Sequence, residues 1–290
     1  MYAPPGVEPS GVALVTGASR GLGRALALSL ARRGFEVVAA MRRPADGTAL
    51  VAEAAGEGLR LAVAELDVRR PDGFEMPAGL RVLVNNAGVD GPYLPAEAAP
   101  LEAWREVFET NVFGLAATTR LAIPALRRAG GGVICNVTSA SLLFPMPLYA
   151  LYRASKAAVS ALGESLRAEL GGFGIRLLEV LPGPIATDML AASDRPPEAF
   201  AVPGYAPLAE RAWAGRRGVA ASVAPPGVAA EAIADAILDD SAPLRVPCDP
   251  LGRGLLEGWR AVSDEEWLRQ LLTSFGLPVS AAPSRGSGTR

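Results

Sequence analysis

The sequence predicts a single α/β domain, a doubly wound parallel sheet with helices on both faces. Short apolar runs alternate along the chain with amphipathic stretches, which is the pattern of βαβ units. The chain has 290 residues, 50% of them hydrophobic, so it is long enough to bury one large core. The first strand-like run is joined to the first helix-like stretch by a Gly-rich turn, as in nucleotide-binding α/β folds.

The elements are predicted in order from hydrophobic periodicity and chain breakers. The first strand, residues 12–16, precedes a helix at 22–33 that ends at Gly34, because glycine favours a helix C-terminus. Further apolar runs of strand length lie at 36–41, 59–66, 81–84, 133–137 and 175–181. Further helices are predicted at 100–129, with a kink expected at Pro124, and at 149–170, 228–239 and 265–275.

The connection between the strands at 59–66 and 81–84 is unusually short. Residues 67–81 must hold a crossover between neighbouring parallel strands, although they include Pro71, Gly73, Pro77 and Gly79. Such crossovers usually need a dozen or more residues, most often in a helix. We therefore expect at most one or two turns of helix there.

The folded domain is predicted to cover residues 11–279. Residues 1–10 and 280–290 are rich in Pro, Gly and Ser and are predicted to be flexible tails. Residues 184–227 are rich in Ala, Pro and Gly with little periodicity, which predicts a mobile lid over a substrate. Residues 241–279 form a C-terminal extension with no motif, expected to cover a cleft or to form an interface.

Composition excludes several classes of function. The net charge is −2 without a basic block, so nucleic-acid binding is not expected, and no apolar run approaches the roughly 18 residues of a membrane span. Two cysteines, Cys135 and Cys248, make no disulfide framework, which favours the cytoplasm. There is no histidine, so catalytic triads and His-based zinc sites are excluded and no metal is expected. Acid–base chemistry must use Tyr, Lys, Cys or carboxylates.

The Gly-rich turn after the first strand predicts a dinucleotide site. Its glycines allow a tight turn and a close approach of the backbone to a pyrophosphate, which the helix N-terminus attracts. The spacing is G-x-x-x-G-x-G rather than the usual G-x-G-x-x-G. The predicted contacts in this turn are Gly17, Ser19, Arg20, Gly21, Leu22 and Gly23.

The end of the second strand favours NADP(H) over NAD(H). An NAD site usually has an acidic residue there, whereas arginine accommodates the 2′-phosphate of NADP. Here the strand is followed by Arg42 and Arg43, and Arg20 adds a further positive charge in the turn. The alternative is that these are ordinary surface arginines in an arginine-rich chain.

One lysine is present among the 28 basic residues, and it lies at position 156. Arginine cannot replace a compact ammonium, because its guanidinium is a wide planar fork. Tyr152 precedes Lys156 by four residues and shares its helix face, so a neighbouring ammonium is expected to lower the pKa of this tyrosine. Ser139, thirteen positions before Tyr152, carries a hydroxyl suited to polarising a carbonyl.

These residues together resemble the short-chain dehydrogenase/reductase family. The resemblance covers about residues 10–240, and its motifs occur in the family's order: Thr16-Gly17-x-x-x-Gly21-x-Gly23, Asp67-Val68, Asn85-Asn86-Ala87-Gly88, Asn111, Ser139, Tyr152-x-x-x-Lys156 and Pro182-Gly183. It implies a Rossmann-type sheet of about seven parallel strands and hydride transfer between a nicotinamide and a carbonyl or alcohol.

The resemblance also implies roles for the four predicted catalytic residues. Tyr152 would protonate the carbonyl oxygen, Lys156 would hold the nicotinamide ribose, and Ser139 would orient the carbonyl. Asn111 would hold a water that connects Lys156 to solvent. The alternative for Asn111 is that it only bends its helix.

The remaining implied contacts are with the cofactor. Asp67 and Val68 would meet the adenine, Asn86, Ala87 and Gly88 would line the adenine ribose, and Pro182, Gly183 and Thr187 would border the nicotinamide. Structural alternatives are that Asn86 braces the sheet and that Thr187 begins a turn.

The sequence favours an NADPH-dependent reductase of a hydrophobic ketone. Apolar residues surround the predicted cleft, although ordinary core packing is the alternative: Leu142, Leu143, Phe144, Pro145, Met146, Leu148, Met189 and Leu190. Competing hypotheses are an NAD-dependent alcohol dehydrogenase working in the oxidative direction and a dinucleotide-binding sensor without turnover. The resemblance makes a homodimer or homotetramer plausible.

Overall fold

The computed structural model describes residues 9–218, 222–274 and 276–277. The predicted tails lie outside these residues, apart from residues 9 and 10. In the described part of the chain, no helix is long and apolar enough to cross a bilayer. The strands are β1 Val12–Thr16, β2 Glu36–Met41, β3 Leu61–Glu65, β4 Leu80–Asn85, β5 Gly132–Val137, β6 Ile175–Leu181 and β7 Arg245–Pro247.

All seven strands are parallel and form one sheet in the order β3-β2-β1-β4-β5-β6-β7. The predicted doubly wound fold is therefore confirmed. The α-helices of the described residues are α1 Gly21–Arg32, α2 Thr48–Gly56, α3 Leu101–Phe108, α4 Leu115–Arg128, α5 Ala150–Leu170, α6 Asp188–Ser193, α7 Ala206–Gly218, α8 Pro226–Leu238, α9 Pro250–Ala261 and α10 Asp264–Ser274.

The core has two layers because side chains of each strand point alternately to the two faces of the sheet. Ala13 and Val15 of β1 pack in the layer that includes α1 and α8. Leu14, between them, packs in the opposite layer, which includes residues of α4 and α5. All three side chains have 0% exposure, so the strand is covered on both sides.

Chain order reverses between β1 and β4, which are neighbours at the centre of the sheet. In open α/β sheets, ligands bind in the crevice beyond the carboxyl ends of the strands at such a reversal. The ends of β1, β4, β5 and β6 are followed by the predicted site segments. The topology therefore brings these separate stretches of sequence to one edge of the sheet.

The crossover from β3 to β4 contains hydrogen-bonded turns and no helix, within the limit expected. The expectation that it joins neighbouring strands is wrong, because β3 is the edge strand and β4 lies beyond β2 and β1. Val68 of this crossover is buried against Gly114, where an added Cβ would lie 2.9 Å from the valine methyl group. The short connection thus crosses the sheet beneath the long helical stretch.

That helical stretch is not one regular helix. α3 and α4 are joined by a π-helix at Glu109–Gly114, and α4 continues through Pro124. π-helical turns often occur at functional sites, and this one carries Asn111.

Several elements were missed by sequence reasoning. β7 has three residues, one of them proline, so it shows no strand periodicity. α2 buries only Leu50 and Ala54 and gives little amphipathic signal. α6, α7 and α9 lie in the predicted lid and extension, where Pro and Gly suggested irregular chain.

Candidate active site

The turn after β1 is shaped for close contact with the loop after β4. Gly17 has φ +66°, and an added Cβ would lie 2.8 Å from the Ala87 Cα. Gly23 has no space either, since a Cβ there would lie 2.4 Å from the Gly17 carbonyl oxygen. These glycines are therefore required by packing within the protein.

The N-terminus of α1 fits a phosphate group. No side chain caps it, and its first turn carries no acidic residue. Its first backbone N–H groups lack intrahelical partners and carry a partial positive charge. Gly21, with φ +56°, opens the helix, and Ser19 beside it is half-buried. The side chain of Leu22 is core, so only its backbone is available to a ligand.

Asn86 braces the turn. Its amide nitrogen donates to the Thr16 carbonyl at 2.9 Å and to the Gly17 carbonyl at 3.2 Å. The Thr16 hydroxyl accepts from the backbone N–H groups of Asn86 and Ala87. The side chain of Asn86 therefore makes the contacts of a structural brace, as the alternative interpretation expects. Its backbone lines the crevice.

The three predicted arginines are exposed at the side of this turn. Arg20 lies 3.4 Å from Asp188, and Arg43 lies 3.0 Å from Asp46. Arg42 follows β2, whose Ala40 carbonyl accepts a hydrogen bond from the turn at Ala18. The positive charges and the α1 N-terminus therefore border the same crevice.

Asp67 lies at the end of β3 and pairs with Arg69 through both carboxylate oxygens. Hydrogen bonds from the Arg69 side chain hold the pKa of Asp67 below its ordinary value. Its predicted partner Val68 is 7% exposed and belongs to the core, so a direct role of the valine side chain with a cofactor does not fit.

Ser139, Tyr152 and Lys156 lie together where β5 meets α5. The Lys156 ammonium donates to the Val137 carbonyl at 2.9 Å and lies 5.6 Å from the centre of the Tyr152 ring. Ser139 follows the end of β5 in extended conformation and hydrogen-bonds Tyr152. Both Tyr152 and Lys156 are buried.

The protonation of this pair differs from the sequence-based expectation. Burial raises the pKa of Tyr152 above its ordinary value, Asp90 raises it further, and the Ser139 hydrogen bond lowers it. The predicted lowering of the pKa of Tyr152 by Lys156 is wrong for this structure, because desolvation dominates. Burial also lowers the pKa of Lys156 to about 8, against an opposing effect of Asp90.

Asn111 fastens the loop after β4 to α5. Its side chain accepts from the Val89 N–H at 2.8 Å, donates to the Val89 carbonyl at 2.9 Å and contacts the Ser155 hydroxyl at 3.1 Å. Gly88 lies between Asn111 and Lys156: an added Cβ would be 3.3 Å from Asn111 Oδ1 and 3.6 Å from Lys156 Nζ. The four predicted catalytic residues are thus neighbours.

The segment after β6 is held by a residue that sequence reasoning missed. Asp249 is 4% exposed, accepts from the Gly183 N–H at 2.6 Å and caps α9 through the Gly252 N–H at 2.9 Å. Pro182 accepts from the Ala140 N–H, which ties this segment to Ser139. An Asp directly before Pro250 is a helix-start signal that marks the cap in the sequence.

Thr187 begins α6, where its hydroxyl accepts from the Leu190 N–H at 3.4 Å. Its side chain lies beside Gly21, since a Cβ added there would be 3.0 Å from the Thr187 methyl group. The turn after β1 and the segment after β6 therefore face each other across the crevice.

Part of the predicted apolar cleft is ordinary core. Leu142 and Leu143 pack with Leu181 and Leu256, and Leu148 packs with alanines of the segment predicted to be a lid. Met189 remains 43% exposed on α6. Leu148 has φ +65°, an uncommon conformation for leucine that often marks a functional region.

Comparison with known proteins places this geometry in a family. A family model described as short chain dehydrogenase matches residues 11–198. A short-chain type dehydrogenase/reductase of Picea abies is 39% identical over 197 residues, which span 62% of this chain and 73% of the relative.

Solved structures agree with this match. A short-chain dehydrogenase from Streptomyces avermitilis superposes with a TM-score of 0.72 at 29% identity, covering 92% of this chain and 96% of that one. A short-chain dehydrogenase from Burkholderia cenocepacia in complex with NADP has a TM-score of 0.70 at 29% identity, covering 91% and 98%.

The family match extends over the crevice, from the residue before β1 to residue 198, which follows α6. It therefore includes the Gly-rich turn and the segments that carry Asn111, Ser139, Tyr152 and Lys156. The chain belongs to the short-chain dehydrogenase/reductase family, whose members are oxidoreductases that bind a nicotinamide dinucleotide and act on small molecules.

Proposed function

We propose that this chain is an NADPH-dependent carbonyl reductase that acts on a hydrophobic ketone, with Tyr152 as its acid–base residue. The observation that carries the proposal is the cluster of Ser139, Tyr152 and Lys156 beside the crevice that the α1 N-terminus faces. Such a cluster offers a proton, a hydrogen-bond donor and a positive charge where a carbonyl becomes an alcohol.

In this proposal each residue acts on a stated atom. The Ser139 hydroxyl donates to the substrate carbonyl oxygen, and Tyr152 transfers its phenolic proton to that oxygen as the alcohol forms. The bound nicotinamide supplies the hydride that the carbonyl carbon accepts. Lys156 holds the ribose hydroxyls and stabilises the phenolate, which regains a proton from solvent along the side of Asn111.

Replacing Tyr152 with Phe tests the reaction. We expect turnover to fall by about 100-fold or more, because an acid–base group contributes on that scale, while NADPH binding stays near that of the wild type. The measurements are NADPH oxidation with a panel of bulky ketones and fluorescence titration of NADPH. Turnover by Tyr152→Phe at the wild-type rate would reject the mechanism.

The same assays separate the competing hypotheses. A chain that binds NADPH but turns over no ketone or alcohol in the panel would be a sensor. A chain that oxidises alcohols with NAD and fails to reduce ketones with NADPH would be an alcohol dehydrogenase working in the oxidative direction.

We propose NADPH over NADH because Arg20, Arg42 and Arg43 are exposed beside the α1 N-terminus. The NADP complex of the Burkholderia relative supports this choice. Arg42→Asp is expected to weaken NADPH far more than NADH, because a carboxylate repels the 2′-phosphate. Arg128→Asp, on the exposed end of α4, is the matched control. Equal weakening of both cofactors would overturn the preference.

A homodimer or homotetramer is also proposed. Leu101 and Phe113 are 65% and 59% exposed along the α3–α4 stretch, which favours a protein contact. Light scattering of Phe113→Glu is expected to show a smaller particle than the wild type.

We also propose a cytoplasmic location, because both cysteines are buried and free, and cell fractionation tests that location.

A further inference from the structure

Three residues outside the family's motifs form a polar chain beside the proposed catalytic tyrosine. Asp90, in the loop after β4, accepts from the hydroxyl of Tyr93, and that hydroxyl accepts from Arg216 of α7 at 2.8 Å. The Arg216 guanidinium also stacks on the Tyr93 ring, 3.9 Å from its centre. We name this set the Asp90–Tyr93–Arg216 latch.

The latch is part of a broader attachment of the lid to the loop after β4. Arg195, which follows α6, donates to the Gly91 carbonyl at 3.1 Å and lies over the Tyr93 ring at 4.6 Å. Glu198 accepts from the Tyr93 N–H at 2.9 Å. Tyr93 is 2% exposed and packs with two alanines of α7. The lid is thus held through Tyr93.

The same chain reaches the catalytic pair. The Tyr93 ring lies 5.4 Å from that of Tyr149, which lies 4.8 Å from that of Tyr152. Arg216 lies 5.6 Å from the centre of the Tyr149 ring. Asp90 follows Gly88, the neighbour of Lys156, by two residues, and its charge acts on both Tyr152 and Lys156. Lid position and catalytic charge therefore depend on one carboxylate.

We propose that Asp90 is a positioning residue that fastens α7 through Tyr93 and Arg216 and sets a negative charge beside Tyr152 and Lys156. The proposal deepens the acid–base role given above to Tyr152 and rests on it. The groups that contact Tyr152 or act on its charge are Ser139, Lys156, Tyr149, Tyr93 and Asp90, and Arg216 lies against the neighbouring Tyr149 ring. Asp90 is the carboxylate among these groups, so Asp90→Asn makes the surroundings of Tyr152 less negative.

The direction of the pH effect follows from the charges. Asp90 raises the pKa of Tyr152 and opposes the lowering of the pKa of Lys156, so its loss lowers both pKa values. Reduction requires protonated Tyr152 and a charged Lys156, and as pH rises Lys156 loses its proton first, because its pKa is about 8 and that of Tyr152 is raised. The alkaline limit of reduction is therefore expected to move to lower pH in Asp90→Asn.

The experiment compares Asp90→Asn and Tyr93→Phe with the wild type in pH profiles of kcat/KM and in hydrogen exchange of α7. Asp90→Asn should lower the alkaline limit and speed exchange in α7. Tyr93→Phe keeps the ring and the Asp90 charge, so it should speed exchange by roughly 5-fold through the lost hydrogen bond and move the limit less than Asp90→Asn does. Asp72→Asn, 90% exposed in the crossover, is the charge-matched control.

An alkaline limit in Asp90→Asn that coincides with that of the wild type would overturn the proposal, as would unchanged exchange of α7. Titration of the Lys156 ammonium by NMR of labelled lysine needs no substrate and follows one side chain, because the sequence holds one lysine. If the titration shifts in Asp90→Asn but the wild type turns over no ketone, the role of Asp90 stands and only the proposed reductase activity is rejected.

Discussion

Lys156 shows how much one side chain depends on its surroundings. The residue is 6% exposed, and its ammonium donates a hydrogen bond of 2.9 Å to the Val137 carbonyl. A cation so placed is desolvated, and burial lowers its pKa to about 8. The absence of any other lysine marked this position in the sequence, because the remaining 27 basic residues are arginine.

Lys156→Arg is expected to lower kcat/KM by about 100-fold or more, although the charge is kept. The planar guanidinium is wider than the ammonium, and at the site of the ammonium, which borders Gly88, it does not fit the same hydrogen bond to the Val137 carbonyl. Steady-state kinetics measure the loss, and circular dichroism checks the fold. Full activity of this variant would contradict the inference drawn from the single lysine.

The spacing of Tyr152 and Lys156 in the sequence predicts their shared helix face but not the pKa of Tyr152. The i,i+4 spacing correctly placed it on one face of α5 with Lys156. The predicted sign of its pKa shift is wrong, because burial and Asp90 raise the pKa of Tyr152. The Tyr152 ring packs on Tyr149, which packs on Tyr93, and Tyr93 lies 59 residues before Tyr152 in the sequence.

At the scale of elements, two irregular pieces of backbone hold the site. The π-helix at Glu109–Gly114 turns Asn111 toward Val89, and α9 begins at Asp249, which holds the Gly183 N–H. In the sequence, Asn111 is recognisable as a lone Asn in a helical stretch. Asp249 lies beyond the residues that the family model matches, so no family motif marks it as part of the site.

Asp249→Ala is expected to weaken NADPH binding and to lower the free energy of unfolding by about 1–2 kcal/mol. It removes the cap of α9 and leaves the Gly183 N–H without its carboxylate partner. Urea unfolding and NADPH titration measure both effects. Asp264→Ala, in the first turn of α10, is the control, and equal effects of the two changes would contradict the assignment.

At the scale of the whole molecule, a buried ion pair joins the C-terminal extension to the sheet. Glu179 of β6 is 2% exposed and accepts from the hydroxyls of Thr138 and Ser160. Arg245 of β7 pairs with it at 3.1 Å. Thr138 directly precedes Ser139, so the extension supports the strand end that carries the site.

Arg245→Met is expected to lower the free energy of unfolding by about 3 kcal/mol, because Glu179 is left as an unpaired buried carboxylate. The control is Arg120→Met, whose exposed ion pair with Asp72 at 3.9 Å contributes about 0–1 kcal/mol. Urea unfolding measures both. A loss no larger than that of the control would show that the pair adds nothing to stability.

The parallel α/β fold, the family and the local motifs of the crevice all follow from patterns within the amino-acid sequence. Alternating apolar patterns predict strands and helices, and the turn after β1 and the Tyr152–Lys156 spacing are short-range features. The tertiary structure decided the rest: the passage of the crossover beneath the long helical stretch, the anchoring of Gly183 by Asp249, and the latch on Tyr93. These depend on contacts between residues as distant in sequence as Tyr93 and Arg216, and on burial, neither of which has a local pattern.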